Sequence, residues 1–537
     1  MMDRSFKRCL PAVLYCFVCL GLLLCFRLAL LNYGQWDELS DAWEHAATVR
    51  AMAENFTQPA HPYYHTPGAT TPRFTVYVFM VAVVADVFGL SAMHALDVFF
   101  FVNILLFFGG VYCFFSYFLR SNLAPVIALI VLLFFWGKGW LYSNSYTLSF
   151  LPLGLFFPAM FSFVLCFWGW FFLLHWVRRK NLLSLVAFAL CGFCSFHAHP
   201  LTGSLFFLYS FCALFDNLRK VKRFFAAWIL LVLLCALFST LWPYGNFWQD
   251  MFSGVSKSFY HPTLKFFLLT NIPYRIGFAL FGILLLPWLW YQKKSISIIV
   301  AVMISSFFVV LAFVTDLPLL ERYVFFVTFF LHVSITIGIL EIVLGMQGEG
   351  GNAKKVYLPG VVIVIVLMAI LLQSFLFFRL NSFVIQKSFL FDRKIAQLHA
   401  PENRYAVLRE HLNASDVILS DSLTSWVVPA MSSAKIIFPY RNIPFNKLRQ
   451  EKERDVRLFF GHETSDDERK RVLAKYDISH VVINANVRKF SKIVLQELDV
   501  FIDTSSANVR SFLNRNSMDR FEHTGITVFV LQRDLLD

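Results

Sequence analysis

Charged residues are scarce in this chain of 537 residues. They make up 15% of it, whereas hydrophobic residues make up 58% and aromatic residues 18%. This composition excludes a water-soluble globule and indicates an α-helical polytopic membrane protein. The formal net charge of +13 does not indicate a nucleic-acid partner, because the basic residues cluster in short loops between apolar runs, where they orient membrane helices.

Cysteine is absent from the second half of the chain, since all ten cysteines lie at or before Cys235. No disulfide framework is therefore expected. Cys191 and Cys194 form a C-x-x-C sequence, but inside an apolar run we expect the two thiols to pack as small apolar groups. The N-terminal segment lacks a small-residue cleavage site and its apolar run continues to Leu31, which favours an uncleaved first span over a signal peptide.

Apolar runs of about 20 residues, the length that crosses a bilayer, predict eleven membrane spans. They lie at 9–31, 94–118, 121–142, 155–176, 182–199, 202–217, 224–242, 274–291, 295–314, 323–345 and 356–378. A further apolar run at 74–90 is short and is interrupted by Asp86. We interpret it as a juxtamembrane or half-inserted helix.

The distribution of basic residues supports this interpretation, because cytoplasmic loops of membrane proteins carry an excess of lysine and arginine. With eleven spans, the basic loops fall on the same side as the basic N-terminus; they begin at Arg120, Arg178, Arg219, Lys293 and Lys354. That side is predicted to be the cytoplasm. The large first loop, residues 33–93, then lies on the extracytoplasmic side of a cell inner membrane or plasma membrane.

The composition changes near residue 381 to that of an ordinary soluble domain. The stretch VILSDSLTSWVVPAM, followed by AKIIFPY, predicts a strand, a turn, a short helix and a second strand. Thr464 or Ser465 is placed to cap a following helix, and SHVVIN predicts another strand. We therefore predict a transmembrane domain at 1–380 and an extracytoplasmic α/β domain at 381–537.

The sequence NYGQWDELSDAWEHA, at 32–46, places four carboxylates just after the first span. On a helix, Asp37, Asp41 and Glu44 or His45 would share one face. One interpretation of these carboxylates is structural: they form the solvated face of a helix. The functional interpretation is favoured for the adjacent pair Asp37 and Glu38, because ionisable groups near the bilayer are costly to keep there.

Further polar residues are predicted to reach the same extracytoplasmic face. His61 and His65 belong to a proline-rich, aromatic part of the first loop, and His197 and His199 end a span immediately before a proline. Glu321 and Arg322 open another span, where a guanidinium is suited to a phosphate. Lys257 and His261 lie in an amphipathic tract, 244–267, that is suited to the membrane surface.

A divalent cation at the acidic loop is a further hypothesis. Asp37, Asp41, His45 and a loop histidine are ligand types that such an ion accepts. Their spacing matches no defined metal motif, so no cofactor is predicted with certainty.

The order of these parts resembles the GT-C class of polytopic glycosyltransferases, which includes aminoarabinose, mannosyl and arabinofuranosyl transferases that use polyprenyl-phosphate sugars. The resemblance covers the whole chain: one span, a large outer loop that opens with an acidic pair in WDE at 36–38, many spans, and an outer soluble domain. The stretch VILSDSLTSWVVPAMSSAKIIFPYRNIP also resembles the terminal domain of bacterial proteins of this class.

The resemblance implies an enzyme that moves a sugar from a polyprenyl-phosphate donor to an extracytoplasmic glycan, lipid or protein hydroxyl. Asp37 would be the general base, Glu38 or Asp41 would orient the acceptor or the sugar, and Arg322 would hold the phosphate of the lipid carrier. The first acidic position varies within the class, so Asp37, Glu38 and Asp41 all stay candidates for the base.

Two other functional classes of protein are also polytopic. A polysaccharide polymerase or ligase, of the kind that assembles O-antigen, also carries an outer loop with arginine and histidine, but its large loop typically comes late in the chain. A transporter would place ionisable groups at mid-bilayer in broken helices, often within internal repeats. Here the charges gather at the outer interface and no repeat is evident.

Overall fold

The computed structural model describes residues 4–32, 41–64, 71–140, 144–216, 221–244, 262–293, 295–315, 317, 319–346, 354–385, 401–438, 447–485 and 506–532. A bundle of apolar helices occupies the first part of the chain, and a small α/β unit follows it. The two parts are connected through the first loop, which contributes helices and side chains to both.

The bundle is built from sixteen α-helices within the described residues. In chain order they are α1 Arg4–Asn32, α2 Ala42–Glu54, α3 Val76–Phe88, α4 Ala92–Leu119, α5 Ala124–Phe134, α6 Leu151–Gly154, α7 Pro158–Arg179, α8 Leu182–Ala198, α9 Pro200–Cys212, α10 Val221–Thr240, α11 Pro262–Leu269, α12 Ile272–Ile276, α13 Phe281–Tyr291, α14 Ile296–Val314, α15 Tyr323–Met346 and α16 Lys354–Ile385. Two 3₁₀ turns, Gly277–Leu280 and Leu320–Arg322, precede α13 and α15.

Seven helical stretches of the described chain are long and apolar enough to cross a membrane. They are Cys9–Phe26, Ala92–Leu119, Pro158–Arg179, Ile272–Tyr291, Ile296–Val314, Leu320–Leu344 and Val362–Arg379. Each coincides with a predicted span. The other four predicted spans coincide with the shorter apolar parts of α5, α8, α9 and α10.

The span predicted at 121–142 is too long. Helix α5 has 11 residues, which rise about 17 Å, roughly half the thickness of the hydrocarbon core. The chain turns after Phe134 because the N–H groups of Gly137 and Gly139 both donate to the carbonyl of Arg275, at 3.1 and 3.0 Å. A Cβ on Gly137 would lie 2.1 Å from the Tyr274 carbonyl, so only glycine permits this close approach.

Helix α3 corresponds to the apolar run at 74–90. It has 13 residues, which rise about 20 Å, less than a bilayer requires. The side chain of Thr75 caps its N-terminus by accepting from the Val78 N–H, and Gly89 ends it in the left-handed conformation, with φ of 60°. Since α9 also has 13 residues, length does not separate α3 from the shorter predicted spans, and its juxtamembrane position stays a prediction.

The α/β unit contains a five-stranded mixed sheet. Its elements are α17 Pro401–Arg404, α18 Ala406–His411, β1 Val417–Leu419, α19 Ser422–Met431, β2 Lys435–Ile436, α20 Lys447–Phe460, α21 Asp466–Lys475, β3 His480–Asn484, α22 Ala507–Asn516, β4 Ser517–His523 and β5 Ile526–Leu531. The strand order is β2-β1-β3-β5-β4. Strand β1 pairs in parallel with β2 and β3, whereas β5 pairs antiparallel with β3 and β4. The α/β prediction is confirmed.

Helix α2 packs against this unit through its buried side. The Nε–H of Arg50 donates to the carbonyl of Pro429 in α19, at 2.7 Å. The rings of Trp43 and Tyr405 meet edge to face, with 5.4 Å between centroids, and Trp43 is fully buried. The first loop and the C-terminal unit therefore share one packed interface.

The first loop also pairs with the edge of the sheet. The N–H of Ile436 in β2 donates to the carbonyl of Tyr63, at 2.9 Å. On the same strand, Lys435 Nζ donates to the carbonyl of His61, at 2.9 Å. These bonds satisfy backbone groups at a sheet edge that would otherwise need water or another strand.

The membrane orientation is testable with cysteines placed at exposed helix ends. We expect Lys470→Cys, in α21, to react with an impermeant maleimide on intact cells, because the C-terminal unit is predicted to be extracytoplasmic. Arg179→Cys, at the end of α7, should react only after lysis. Both positions are exposed. The wild-type chain gives the background from its ten native cysteines. The reverse labelling pattern would place the first loop in the cytoplasm.

Candidate active site

Helix α2 carries the described part of the acidic sequence. Asp41 is its N-cap residue, and Glu44 and His45 lie in its first turns, only 1% and 5% exposed. Asp37 and Glu38 lie outside the described residues, so their predicted catalytic role stays a prediction. Alanines at five of the 13 positions of α2 favour the helix and allow its neighbours α3 and α19 to pack closely.

Glu44 forms an ion pair with Arg73 of the same loop, with 2.5 Å between Oε1 and Nε. The Glu44 side chain is 2% exposed and that of Arg73 is 41% exposed. Burial lowers the pKa of Arg73, but the carboxylates of Glu44 and Asp41 outweigh that effect and raise it overall. Arg73 is therefore a fixed cation with a partly exposed side chain, held in place by a buried carboxylate.

His45 lies beside this pair and is neutral near pH 7. Its burial, and then the neighbouring Arg73 and His199, hold its pKa well below the usual range. Its ring packs on Phe157, with 5.6 Å between centroids. Within the described residues, no hydrogen-bond partner reaches His45 Nδ1. A buried ring nitrogen without a partner is costly, which is consistent with a ligand that completes the site.

His199 belongs to the same group and is oriented by helix α9. Its Nδ1 caps α9 by accepting from the Thr202 N–H, at 3.2 Å, and lies 2.8 Å from Thr202 Oγ1. Asn144 Nδ2 donates to that hydroxyl, at 2.6 Å, so the Thr202 hydroxyl proton is directed to His199. Since Nδ1 accepts, the neutral imidazole carries its proton on Nε2 and can donate it to a ligand.

Arg322 approaches His199 from another helix. The charges of Arg73 and Arg322 both act on the His199 ring. Arg322 lies at the end of the 3₁₀ turn before α15, after Leu319 in the left-handed region with φ of 75°. Glu321 is fully buried and lies near the cations Arg322 and Lys265. The structure thus brings predicted residues from the first loop, the α8–α9 turn and the start of α15 into one charged cluster.

The two histidines of the α8–α9 turn have different surroundings. His197 Nδ1 accepts from the Val76 N–H, at 3.3 Å, and its ring lies 4.3 Å from that of Trp242. These contacts anchor α3 to α8. In the described chain His197 thus contacts the start of α3, whereas His199 joins the charged cluster.

Several predicted binding residues are not among the described members of this cluster. His65, Lys257 and His261 lie outside the described residues. His61 lies at the junction between the first loop and the C-terminal unit rather than in the charged cluster.

Arg73, Asn144 and Thr202 are site residues that the sequence analysis missed. Arg73 carried a detectable signal, because it is the only lysine or arginine between residues 51 and 119. Asn144 and Thr202 carried none, since their pairing joins segments 58 residues apart. They also line a small cavity whose walls include Tyr146, Phe163 and Phe329.

The metal hypothesis gains no support from the described residues. Among them, no group of three or more histidine, cysteine, aspartate or glutamate side chains is close enough to hold an ion. Of the carboxylates on α2, Glu44 is already paired with Arg73. Asp37, Glu38 and His65, which would complete an acidic site, lie outside the described part of the chain.

A helix bundle with a large loop after its first helix and a terminal α/β unit is the GT-C architecture, and comparison with solved structures confirms this fold. The oligosaccharyltransferase of Archaeoglobus fulgidus in its apo form superposes with a TM-score of 0.57 and 11% identity, over 99% of this chain and 75% of that one. AglB from the same organism, in complex with an inhibitory peptide and a dolichol-phosphate, gives a TM-score of 0.52 and 12% identity, over 98% and 75%.

A second kind of GT-C protein matches over nearly the full length of both chains. ArnT from Cupriavidus metallidurans, bound to undecaprenyl phosphate, superposes with a TM-score of 0.50 and 11% identity, over 98% of this chain and 99% of that one. No family model matches the sequence, and no curated protein matches it. At such low identity the likeness shows the fold, and the function must be argued from the site.

The Glu44–Arg73 pair is testable by a double-mutant cycle. We expect Arg73→Gln to destabilise the protein, because it leaves a buried carboxylate without a cation, and Glu44→Gln to recover part of that loss. The expected coupling is about 1–3 kcal/mol, reduced by the partial exposure of Arg73. Unfolding titrations in mixed detergent micelles measure it.

The control for this cycle is the more exposed i,i+4 pair Arg457 and Glu453 on α20, whose side chains are 39% and 34% exposed. Its expected coupling is below about 1 kcal/mol. Strictly additive losses at Glu44 and Arg73 would show that the ion pair does not contribute to stability.

Proposed function

We propose that this protein is a membrane glycosyltransferase that moves a sugar from a polyprenyl-phosphate donor to an extracytoplasmic hydroxyl. The supporting observation is that carboxylates and cations from the first loop, the α8–α9 turn and the start of α15 converge in a chain with the GT-C fold. Such a reaction needs a base for the acceptor and positive charge for the departing phosphate; in this proposal Asp37 is the base and the arginines of the cluster supply the charge.

The base acts on the acceptor hydroxyl. It takes the hydroxyl proton while the acceptor oxygen forms a bond to the anomeric carbon of the sugar. The bond from that carbon to the phosphate oxygen breaks, and its electron pair leaves with the lipid phosphate. Asp37 is the proposed base, since it follows the first span most closely and has Trp36 beside it. Glu38 and Asp41 are proposed to orient the acceptor or the sugar, and Asp41 lies close enough to Arg73 to act on its charge.

Arg73, Arg322 and His199 are proposed to hold the phosphate. The two guanidinium groups supply fixed charge and planar pairs of donors, which suit phosphate oxygens. His199 supplies a neutral N–H from Nε2, and the Thr202–Asn144 chain keeps it in that tautomer. Glu321, buried beside Arg322, and Glu44, paired with Arg73, act as positioning residues for the two arginines.

His45 is proposed to line the sugar side of the site. Its neutral ring adds no charge, and its unpartnered Nδ1 accepts a hydrogen bond or donates one, depending on the tautomer. A divalent cation held by Asp37, Asp41, His45 and a loop histidine stays a separate hypothesis, and a chelator in the transfer assay tests it. Lys257 and His261 are proposed to contact the lipid carrier at the membrane surface.

The base assignment is testable by replacing carboxylates with amides. We expect Asp37→Asn to lower turnover by about 10²-fold or more, in line with the loss of general-base catalysis, while donor binding survives. Asp86→Asn, an exposed carboxylate at the end of α3 in the same loop, is the matched control and should be unchanged. Transfer from a panel of polyprenyl-phosphate sugars is the measurement.

Other outcomes at these positions would change the assignment. Normal turnover in Asp37→Asn with an inactive Asp41→Asn would move the base by one helical turn to Asp41. Full activity in all three amide variants, at Asp37, Glu38 and Asp41, would end the glycosyltransferase proposal for this loop.

The phosphate site is testable with undecaprenyl phosphate as the probe. We expect Arg322→Ala and Arg73→Gln each to weaken its binding by about tenfold or more, because each removes a charge-assisted contact. Arg322→Lys should recover only part of the affinity, since lysine keeps the charge but loses the planar fork. Arg409→Ala, an exposed arginine of the C-terminal unit, is the control. Unchanged affinity in Arg322→Ala would leave Arg322 a purely structural role.

A further inference from the structure

A second group of cations lies at the junction between the first loop and the C-terminal unit. Lys435 of β2 is 8% exposed, and its Nζ donates to the His61 carbonyl. Lys452 of α20 places its Nζ 4.6 Å from the centre of the Tyr64 ring. Both lysine charges act on the ring of His61, which places the two ammonium groups around one imidazole.

The charges at this junction are not balanced within the described residues. Arg50, Lys435 and Lys452 are cationic, and Glu54 is the one described carboxylate that acts on Arg50 and Lys435. Glu54 Oε1 is already shared by Arg50 Nη1, at 2.5 Å, and Ser433 Oγ, at 3.0 Å. Neither lysine forms a salt bridge with a described carboxylate. Buried or half-buried ammonium groups without a counter-ion are costly, so their presence calls for an anion.

The aromatic residues of the junction form a fixed platform beside these lysines. The ring of His61 stacks on that of Tyr64, with 4.8 Å between centroids and 24° between planes. His61 Nδ1 accepts from the backbone N–H groups of Tyr63 and Tyr64, both at 3.2 Å. The neutral ring therefore carries its proton on Nε2, where no described residue accepts it.

The pKa shifts of the ionisable groups at the junction agree with this geometry. Burial, then Lys435 and Lys452, lowers the pKa of His61 to about 4. Burial and the charge of Arg50 lower the pKa of Lys435 to about 8, and burial lowers the pKa of Lys452. At neutral pH the site thus combines two mostly charged ammonium groups with a neutral N–H donor, and a bound anion would relieve their repulsion.

We propose that this junction binds a phosphate group, held by the ammonium groups of Lys435 and Lys452 and by the Nε2–H of His61. Donors from three side chains suit the several terminal oxygens of a phosphate better than the two oxygens of a carboxylate. The phosphate is carried by a soluble or acceptor molecule or by a lipid headgroup. Assigning this phosphate to the acceptor rests on the proposed glycosyltransferase function. The binding of a phosphate at the junction does not rest on that function.

The proposal is tested first without any variant. The full-length protein in neutral detergent is acetylated with acetic anhydride, and the rate at each lysine is read by mass spectrometry. We expect inorganic phosphate to slow the reaction of Lys435 and Lys452 by at least threefold and to leave exposed Lys470 unchanged. Acetate should have little effect. Equal protection by acetate, or no protection by phosphate, would overturn the proposal.

Variants then measure the contribution of the two lysines. The double change Lys435→Gln with Lys452→Gln should weaken phosphate binding at least tenfold by calorimetry, with Lys470→Gln as the matched control. If the double variant does not fold, Lys452→Gln alone, at a half-buried position, carries the test with an expected loss of at least threefold. Wild-type affinity in the folded variant would overturn the assignment.

The source of the phosphate is resolved in lipid nanodiscs. Protection of the two lysines in phosphatidylglycerol but not in phosphatidylcholine, with no added phosphate, identifies a lipid headgroup. Equal protection by glucose 1-phosphate in both lipids identifies a soluble or acceptor phosphate. Arg73→Gln and Asp37→Asn should keep the protection even where they lose transfer, so failure of this site and failure of the proposed function are distinguishable.

Discussion

The ion pair between Glu44 and Arg73 is the interaction on which the charged cluster depends. A buried carboxylate next to a bilayer is stable only with a cation beside it, and Arg73 is the cation that the loop supplies. The pair links α2 to the chain just before α3. Because α2 packs with Arg50 and Trp43 against the C-terminal unit, the pair also sets where that unit lies relative to the helix bundle.

Recognition of a phosphate uses positive charge and directional hydrogen bonds, and in the charged cluster these come from different side chains. Its arginines carry permanent charge, while His45 is held neutral and the tautomer of His199 is set by Thr202. A neutral N–H donor adds a directional hydrogen bond without adding to the repulsion among the cations, which suits the proposed phosphate site. Permanent charge and directional donors are thus assigned to different residue types.

Local signals in the sequence predicted local structure well. Ser465 caps α21 in a capping box with Glu468, as the spacing of the two residues indicates, and the strands at β1 and β3 follow from runs of β-branched residues. The eleven apolar runs all contain helices. The prediction for 121–142 was wrong because hydropathy does not register a turn held by the carbonyl of Arg275, a residue more than 130 positions away.

The candidate site was only partly predictable for the same reason. Ionisable side chains are unusual next to a membrane, so the sequence alone indicates four candidate residues: Asp41, His45, His199 and Arg322. Arg73 and Asn144 acquire their roles from partners elsewhere in the chain, Glu44 and Thr202. Pairings across tens of residues depend on tertiary packing, and no periodicity encodes them.

The backbone bond between Tyr63 and Ile436 has a consequence for the modularity of the chain. It means that the soluble part is not an independent module, although its composition suggests one. Released from the first loop, β2 would present a free strand edge next to the surface of α19 that α2 now covers. Such an edge is a template for association between copies. The first loop therefore covers a strand edge of the unit that follows it.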